Sequence, residues 1–304
     1  MTEVQRGRLG SAGWLTRQVL LSSRPLSWIN TAFPFAAAYL VTSGRIDALL
    51  IVGTVFFLIP YNLLMYGIND VFDYESDLRN PRKGGAEGAL LDPRLHRLVL
   101  RSGVISAAPF LVAMVVLAGW QHPFAWLVLA VSLFAVVAYS VPGLRFKEVP
   151  FLDSITSSTH FVSPAVFGLA VVGATVTPSL VALLVAFFFW GMASHAFGAV
   201  QDVCPDREAG IGSIATVLGA ARTVRFAMAL WALAGLLMLL TAWPGPLAAV
   251  LAVPYIVTAF PWRRVSDERS AEANRGWKRF LWLNYVSGFV VTLLLIATAW
   301  QGSV

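Results

Sequence analysis

The sequence predicts an all-α membrane protein, a nine-transmembrane-helix bundle, on three observations. Hydrophobic residues make up 58% of the 304 positions and charged residues only 12%, about half the charge of a soluble globular domain. Apolar runs of roughly 20 residues, each long enough to cross a hydrocarbon core of about 30 Å, recur along the chain. The basic residues between these runs fall almost entirely on one side of the implied membrane. Together these exclude a soluble protein, whose exterior must be mostly polar. Disorder is excluded too, since disordered chains are charge-rich and poor in aromatics.

The predicted spans lie near 26–43, 46–68, 98–118, 122–141, 153–173, 177–200, 221–242, 245–261 and 280–300. The runs are continuous rather than alternating, so barrel strands do not fit. Residues 1–25 read as a cytoplasmic N-terminal segment and 26–304 as one membrane domain. Residues 1–24 hold four arginines and no apolar core, which does not describe a cleavable signal peptide. The first span is therefore expected to direct insertion. The eighth is short and flanked by Pro244, Pro246 and Pro261.

With nine spans, every Lys and Arg of the 22 except Arg45 lies on the N-terminal side, as does every acidic residue of the 16 except Asp47. The positive-inside rule makes that side cytoplasmic and puts the C-terminus opposite, in an inner or cell membrane. The net charge of +6 thus reads as topology and attraction to the lipid bilayer, not as a nucleic-acid surface. Polar chemistry is expected to open toward the cytoplasm. One cysteine, Cys204, excludes an intrachain disulfide framework and a cysteine-based zinc cluster.

The second span runs into Asn69-Asp70-Val71-Phe72-Asp73-Tyr74-Glu75-Ser76-Asp77. The i, i+3, i+7 spacing of Asp70, Asp73 and Asp77 puts three carboxylates on one helical face, with Tyr66 and Asn62 continuing the stripe inward. Alone, the cluster also reads as a solvated acidic loop. An EF-hand loop fits poorly, because Leu78 and Gly84 stand where Gly and Glu are required. The sixth span ends in Gln201-Asp202-Val203-Cys204-Pro205-Asp206-Arg207-Glu208. Asp202 and Asp206 share a face if the turn is helical; Pro205 equally allows a break with one aspartate in each of two turns.

Two aspartate clusters at the cytoplasmic ends of even-numbered spans say more than either alone. Hard carboxylate oxygens suit Mg²⁺, which keeps several waters and completes its shell with substrate phosphates. Such a pair clamps a diphosphate that bare carboxylates would repel. Asn69, Arg82, Lys83, Tyr139, Arg145 and Lys147 adjoin the clusters or follow the fourth span and are candidate diphosphate ligands; positive-inside flanking explains the basic ones as well. Ser157-Ser158-Thr159-His160, inside the fifth span, is costly in a membrane unless hydrogen-bonded. Helix–helix contact accounts for it, and His160 is also a candidate to guide the end of a cationic reaction. His195, two turns from Asp202, reads either as a cavity residue or as a hydrogen-bonded buried histidine.

These motifs resemble the UbiA superfamily of intramembrane prenyltransferases, whose members are nine-helix bundles with aspartate-rich motifs after helices 2 and 6. The first motif, N-D-x-x-D-x-x-x-D, is matched by Asn69, Asp70, Asp73 and Asp77, and the second, D-x-x-x-D, by Asp202 and Asp206. SSRPLSWINTAFPFAAAYL (22–40), FFLIPYNLLMYGINDVFDYESDLRNPRKGG (56–85) and WGMASHAFGAVQDVCPDREAGIGSIATVLGA (190–220) are similar to the lycopene elongases of C50 carotenoid biosynthesis. So are SSTHFVSPA (157–165) and NRGWKRFLWLNYVSG (274–288). The resemblance implies Mg²⁺-dependent transfer of dimethylallyl groups from dimethylallyl diphosphate to lycopene. The five aspartates would then serve as metal ligands and catalytic residues. Departure of diphosphate leaves an allylic cation, the terminal double bond of lycopene attacks it, and the resulting tertiary cation loses a proton or captures water. Tyr66, Tyr139, Phe161 and Phe197 are candidates to face these cations, and Glu208 is a possible addition to the metal shell. The same fold is compatible with a quinone precursor or another aromatic or polyprenoid acceptor. A cation-coupled transporter fits less well, because transporters place ion-binding groups near the midplane within broken helices.

Overall fold

The computed structural model describes residues 12–78 and 91–300, with the backbone alone at Ser76 and Asp77. Among these residues every regular element is helical, and none is a strand. In chain order the α-helices are α1 (Ala12–Ser22), α2 (Ile29–Ser43), α3 (Ala48–Leu58), α4 (Pro60–Phe72), α5 (Tyr74–Asp77), α6 (His96–Ala118) and α7 (Pro123–Ser140). They continue as α8 (Leu152–Val171), α9 (Pro178–Ala199), α10 (Val203–Glu208), α11 (Ile214–Leu218), α12 (Ala220–Met238), α13 (Ala252–Ala259) and α14 (Asn274–Trp300).

Helices occupy each of the predicted spans. Among the described residues seven helical stretches are long and apolar enough to cross a membrane: Ala48–Phe72, Pro93–Ala118, Pro123–Ser140, Pro178–Glu208, Ala220–Met238, Gly245–Trp262 and Asp267–Trp300. The other two expected spans fall short for different reasons. α2 has only 15 residues, and α8 is dense in Ser, Thr and His over its first three turns. Yet α2 and α8 are closely packed on each other, and α8 lies against α7 and α9 as well. Polar side chains of α8 find partners on those neighbours: Ser158 Oγ donates to Phe188 O on α9 at 2.7 Å and Ser163 Oγ to Ser132 Oγ on α7 at 2.8 Å, as a membrane interior favours.

Two glycines set these close approaches. A Cβ at Gly168 would lie 2.9 Å from the Phe35 carbonyl oxygen, and one at Gly191 would collide with Ser158. The second predicted span is broken between α3 and α4, where Pro60 removes a backbone donor. The carbonyls left over are taken up by side chains. Phe57 O accepts from Thr31 Oγ1 at 2.6 Å and from Asn62 Nδ2 at 2.8 Å, and Leu58 O accepts from Asn62 Nδ2 at 3.0 Å. Asn62, part of the predicted acidic stripe, is thus a structural pin. Asp47 caps α3 by accepting from Leu50 N at 3.0 Å and also accepts from Tyr39 Oη, joining the ends of α2 and α3. The eighth span is helical only in part, a 3₁₀ turn over Gly245–Leu251 leading into α13.

The bundle has two main apolar cores. One, from α2–α4 and α6–α8, centres on Phe35, Phe56, Phe57 and Phe167. The other, from α9 and α11–α14, centres on Phe197, Trp231, Tyr255 and Phe280. A cavity of about 1910 Å³ lies between them, lined from both halves.

Candidate active site

α4 ends at Phe72 and its C-cap is Asp73, so the acidic motif turns out of the helix rather than continuing it. Asp70 and Asp73 are both buried. Arg24 follows α1 in the left-handed region, φ 49°. That backbone aims its guanidinium into the site: Nη2 lies 2.7 Å from Asp70 Oδ1, and the group sits 4.3 Å above the Tyr66 ring. Lys147, in a 3₁₀ turn over Phe146–Glu148, pairs with Asp73 Oδ1, and Arg145 Nη2 is 3.8 Å from the same oxygen. Ser140 Oγ donates to Asn69 Oδ1 at 3.1 Å, linking the end of α7 to the motif. Three cations thus face the two buried carboxylates, as charge burial requires.

The second motif takes the broken form. Asp202 ends a 3₁₀ turn, Val200–Asp202, and Asp206 belongs to α10. Pro205 is the third residue of α10, where its missing N–H leaves no helical bond unmade. This short helix is clamped from behind. Arg207 Nη1 meets Asp267 Oδ2 at 2.6 Å, Arg207 Nη2 donates to Thr216 O at 2.7 Å, and Cys204 Sγ donates to Asp267 O at 3.1 Å. Asp267 Oδ1 in turn accepts from Ala220 N at 2.7 Å, at the start of α12.

Both motifs line the one cavity: Asn69 and Asp73 from the first, Asp202 and Asp206 from the second, with Glu208 beside them and Arg24 and Lys147 on the same wall. Away from them the lining turns apolar, through Phe33, Ala37, Leu183, Trp190 and Leu295. Lining residues run along α9 from Ser179 to Gly198, a rise of about 28 Å at 1.5 Å per residue. The cavity is long, greasy and charged at one end.

Tyr66, Tyr139, His160, Phe161 and His195 also line it. Phe197 is placed elsewhere, in the second core, edge-on to Trp231 with ring centroids 5.7 Å apart. The side chain of Asp77, and Arg82 and Lys83 altogether, lie outside the described residues. Two residues were not singled out from the sequence. Arg24 looks like one more positive-inside arginine, and only its left-handed backbone beside Pro25 hints otherwise. Asp153 at the start of α8 is fully buried; an aspartate in the first turn reads simply as helix-dipole compensation.

Among the described residues no three His, Cys, Asp or Glu side chains converge to hold a metal by themselves. The donor set nevertheless fits Mg²⁺, which favours hard oxygens, keeps waters and shares its shell with phosphate. Carboxylates of both motifs border one cavity, and cations beside them match the remaining phosphate oxygens.

The chain is 52% identical to a lycopene elongase/hydratase of Corynebacterium glutamicum, over 92% of this chain and 97% of that one. It is also 52% identical to the C(50) beta-cyclic carotenoids biosynthesis protein LbtBC of Dietzia sp., over 95% of this chain but only 66% of that protein. The fold is shared with a UbiA homolog from Archaeoglobus fulgidus bound to DMAPP and Mg²⁺, at a TM-score of 0.63 and 20% identity, covering 89% of this chain and 98% of that one. Residues 31–286, from the third residue of α2 to the middle of α14, match the UbiA prenyltransferase family. With the paired aspartate motifs meeting at one cavity, the chain belongs to that family.

Proposed function

We propose that this enzyme transfers dimethylallyl groups from dimethylallyl diphosphate to lycopene, giving C45 and C50 carotenoids, with water captured by the product cation. The observation that carries the reading is the shape of the cavity. Its charged end suits a metal diphosphate, and its largely apolar remainder, in a lining that extends about 28 Å along α9, suits a long, flat polyene better than a small aromatic acid. The similarity to the Corynebacterium lycopene elongase/hydratase supports the same acceptor.

In this reading Arg24, Arg145 and Lys147 turn from the aspartates to the diphosphate oxygens, Arg through paired donors and Lys as a point charge. Asp70, Asp73, Asp202 and Asp206, joined by Asp77, would hold Mg²⁺. When bound, the metal offsets charge on the departing diphosphate. Ser140 fixes Asn69 against this group. Tyr139 and Phe161 present π faces to the allylic cation, whereas one face of Tyr66 is already covered by Arg24. The apolar wall keeps bulk water from the allylic cation until the polyene attacks it. The distribution of basic residues supports an N-terminus and a charged cavity end on the cytoplasmic side.

Expression in a lycopene-producing host, with carotenoid masses read by LC–MS, tests the proposal. New C45 and C50 species that vanish with Asp73→Ala are the expected result. Unchanged lycopene, with the protein present in the membrane, would reject it and direct the search to other acceptors, quinone precursors among them.

A further inference from the structure

Two histidines border the cavity, and their surroundings differ. His160 is 3% exposed, its Nδ1 lies 3.3 Å from Tyr61 Oη, and its Nε2 is closed off without a hydrogen-bond partner. Tyr61 continues into a hydroxyl chain through Ser132, which accepts from Ser163 Oγ at 2.8 Å. This network ties α4, α7 and α8 together, and His160 is packed into it. His195, by contrast, keeps 20% of its side chain exposed, and its Nε2 stands 3.7 Å from Asp153 Oδ2.

Asp153 has no part in the diphosphate site, yet it is a fully buried carboxylate. Oδ1 accepts from Ser154 N at 2.7 Å, and Oδ2 accepts from Ile214 N at 2.7 Å, at the start of α11. These bonds fix the carboxylate on the side of His195 away from the cavity. A buried carboxylate behind an accessible imidazole orients the ring. General bases are built this way, and their hydrogen bonds are often long before substrate binds.

We infer that His195 is the base that completes water capture at the product cation, with Asp153 as its positioning residue. The inference rests on the elongase reading above. After the terminal double bond of the polyene attacks the allylic carbon, the positive charge sits on a tertiary carbon. A water molecule in the cavity forms the new C–O bond there with an oxygen lone pair. One of its O–H bonds breaks, leaving its electron pair on oxygen, and the proton goes to the free nitrogen of His195. That proton then leaves with the diphosphate. Without the base, the same cation loses a proton from carbon to the diphosphate and ends as an alkene.

The ratio of hydroxylated to alkene product is therefore the readout, since both descend from one cation and a purely structural role would leave it unmoved. Membranes carrying the enzyme are incubated with lycopene, dimethylallyl diphosphate, Mg²⁺ and oxygen-labelled water, and prenylated products are resolved by LC–MS. His195→Phe is expected to lower the ratio about a hundredfold. Asp153→Asn keeps an acceptor for Ile214 N but removes the charge, and is expected to lower it about tenfold. His195→Gln, closer in size and polarity, answers the same question if the Phe variant fails to insert. An unchanged ratio in the inserted His195 and Asp153 variants overturns the inference. So does a ratio that collapses in His160→Phe but not in His195→Phe, or a wild-type product lacking labelled oxygen. A wild type that yields no C45 or C50 species at all instead overturns the elongase reading itself.

Discussion

Arg24 and Asp70 are 46 residues apart and meet at 2.7 Å, with the arginine also lying over Tyr66. Their contact joins the N-terminal helix to the first aspartate motif, and in the proposed reading it supplies a cation for a diphosphate oxygen. Arg24→Ala should raise the KM for dimethylallyl diphosphate by roughly tenfold, the worth of one charge-assisted hydrogen bond. Arg24→Lys should recover only part of it, because an ammonium lacks the planar fork that stacks on Tyr66. Steady-state diphosphate release decides this, and an unchanged KM in Arg24→Ala would remove Arg24 from the site.

Asp70, Asp73 and Asp202 are expected to be the most sensitive positions. Each Ala substitution should lower turnover by at least about a hundredfold, as loss of a transition-state charge contact does, while the bundle stays folded. Asp73→Ala protein that elutes as a single species in detergent and retains normal turnover would contradict a metal site built on these motifs.

Metal removal should stop catalysis without unfolding the protein. No described cluster of three ligands staples helices together, and the apolar cores are built from apolar side chains, with no motif aspartate among them. Chelation is expected to abolish diphosphate release and leave the melting temperature in detergent unchanged, with Mg²⁺ restoring activity. A large fall in melting temperature on chelation would assign the metal a structural role instead.

The helical spans and both aspartate motifs were legible in the sequence because each is local: a run of apolar residues, or a spacing along one helix. What was not legible depends on long-range packing. Asn69 and Ser140 are 71 positions apart and Asp153 and Ile214 are 61 apart; no sequence pattern pairs them. Phe197 illustrates the reverse case. It was a candidate to face the cations, but on α9 it packs into the core against Trp231. The polar run of α8 read as helix–helix contact, but which helices, α2, α7 and α9, enclose it is a matter of packing. Arg24 was hidden by abundance, one arginine among many on the basic side.

Asn62 offers a stability test away from the chemistry. Its amide donates to Thr31 Oγ1, Phe57 O and Leu58 O, beside a proline-broken turn inside the membrane. Asn62→Leu keeps the volume and removes the donors, so Leu58 O loses its side-chain partner where no water replaces it. A cost of about 1–3 kcal/mol is expected, read as a lower melting temperature in detergent. An unchanged melting temperature would mean that the α3–α4 break is held by Thr31 and packing alone.

The clamp behind α10 separates position from chemistry. Asp267 pairs with Arg207 and receives Ala220 N, while its carbonyl oxygen receives Cys204 Sγ. Asp267→Ala removes the carboxylate that joins α10 to α12, and Asp206 should lose its fixed position at the cavity it shares with Asp73. Because a misplacement of about 1 Å can cost a hundredfold in rate, turnover should fall by at least tenfold even though Asp267 is not among the cavity-lining residues. Cys204→Ser should keep near-normal turnover, since its hydroxyl donates to the same carbonyl. Elevated Mg²⁺ should recover part of the Asp267→Ala activity if the defect is a loosened metal site. Normal turnover in Asp267→Ala would show that α10 holds Asp206 by its own helical turn and Pro205, without the clamp.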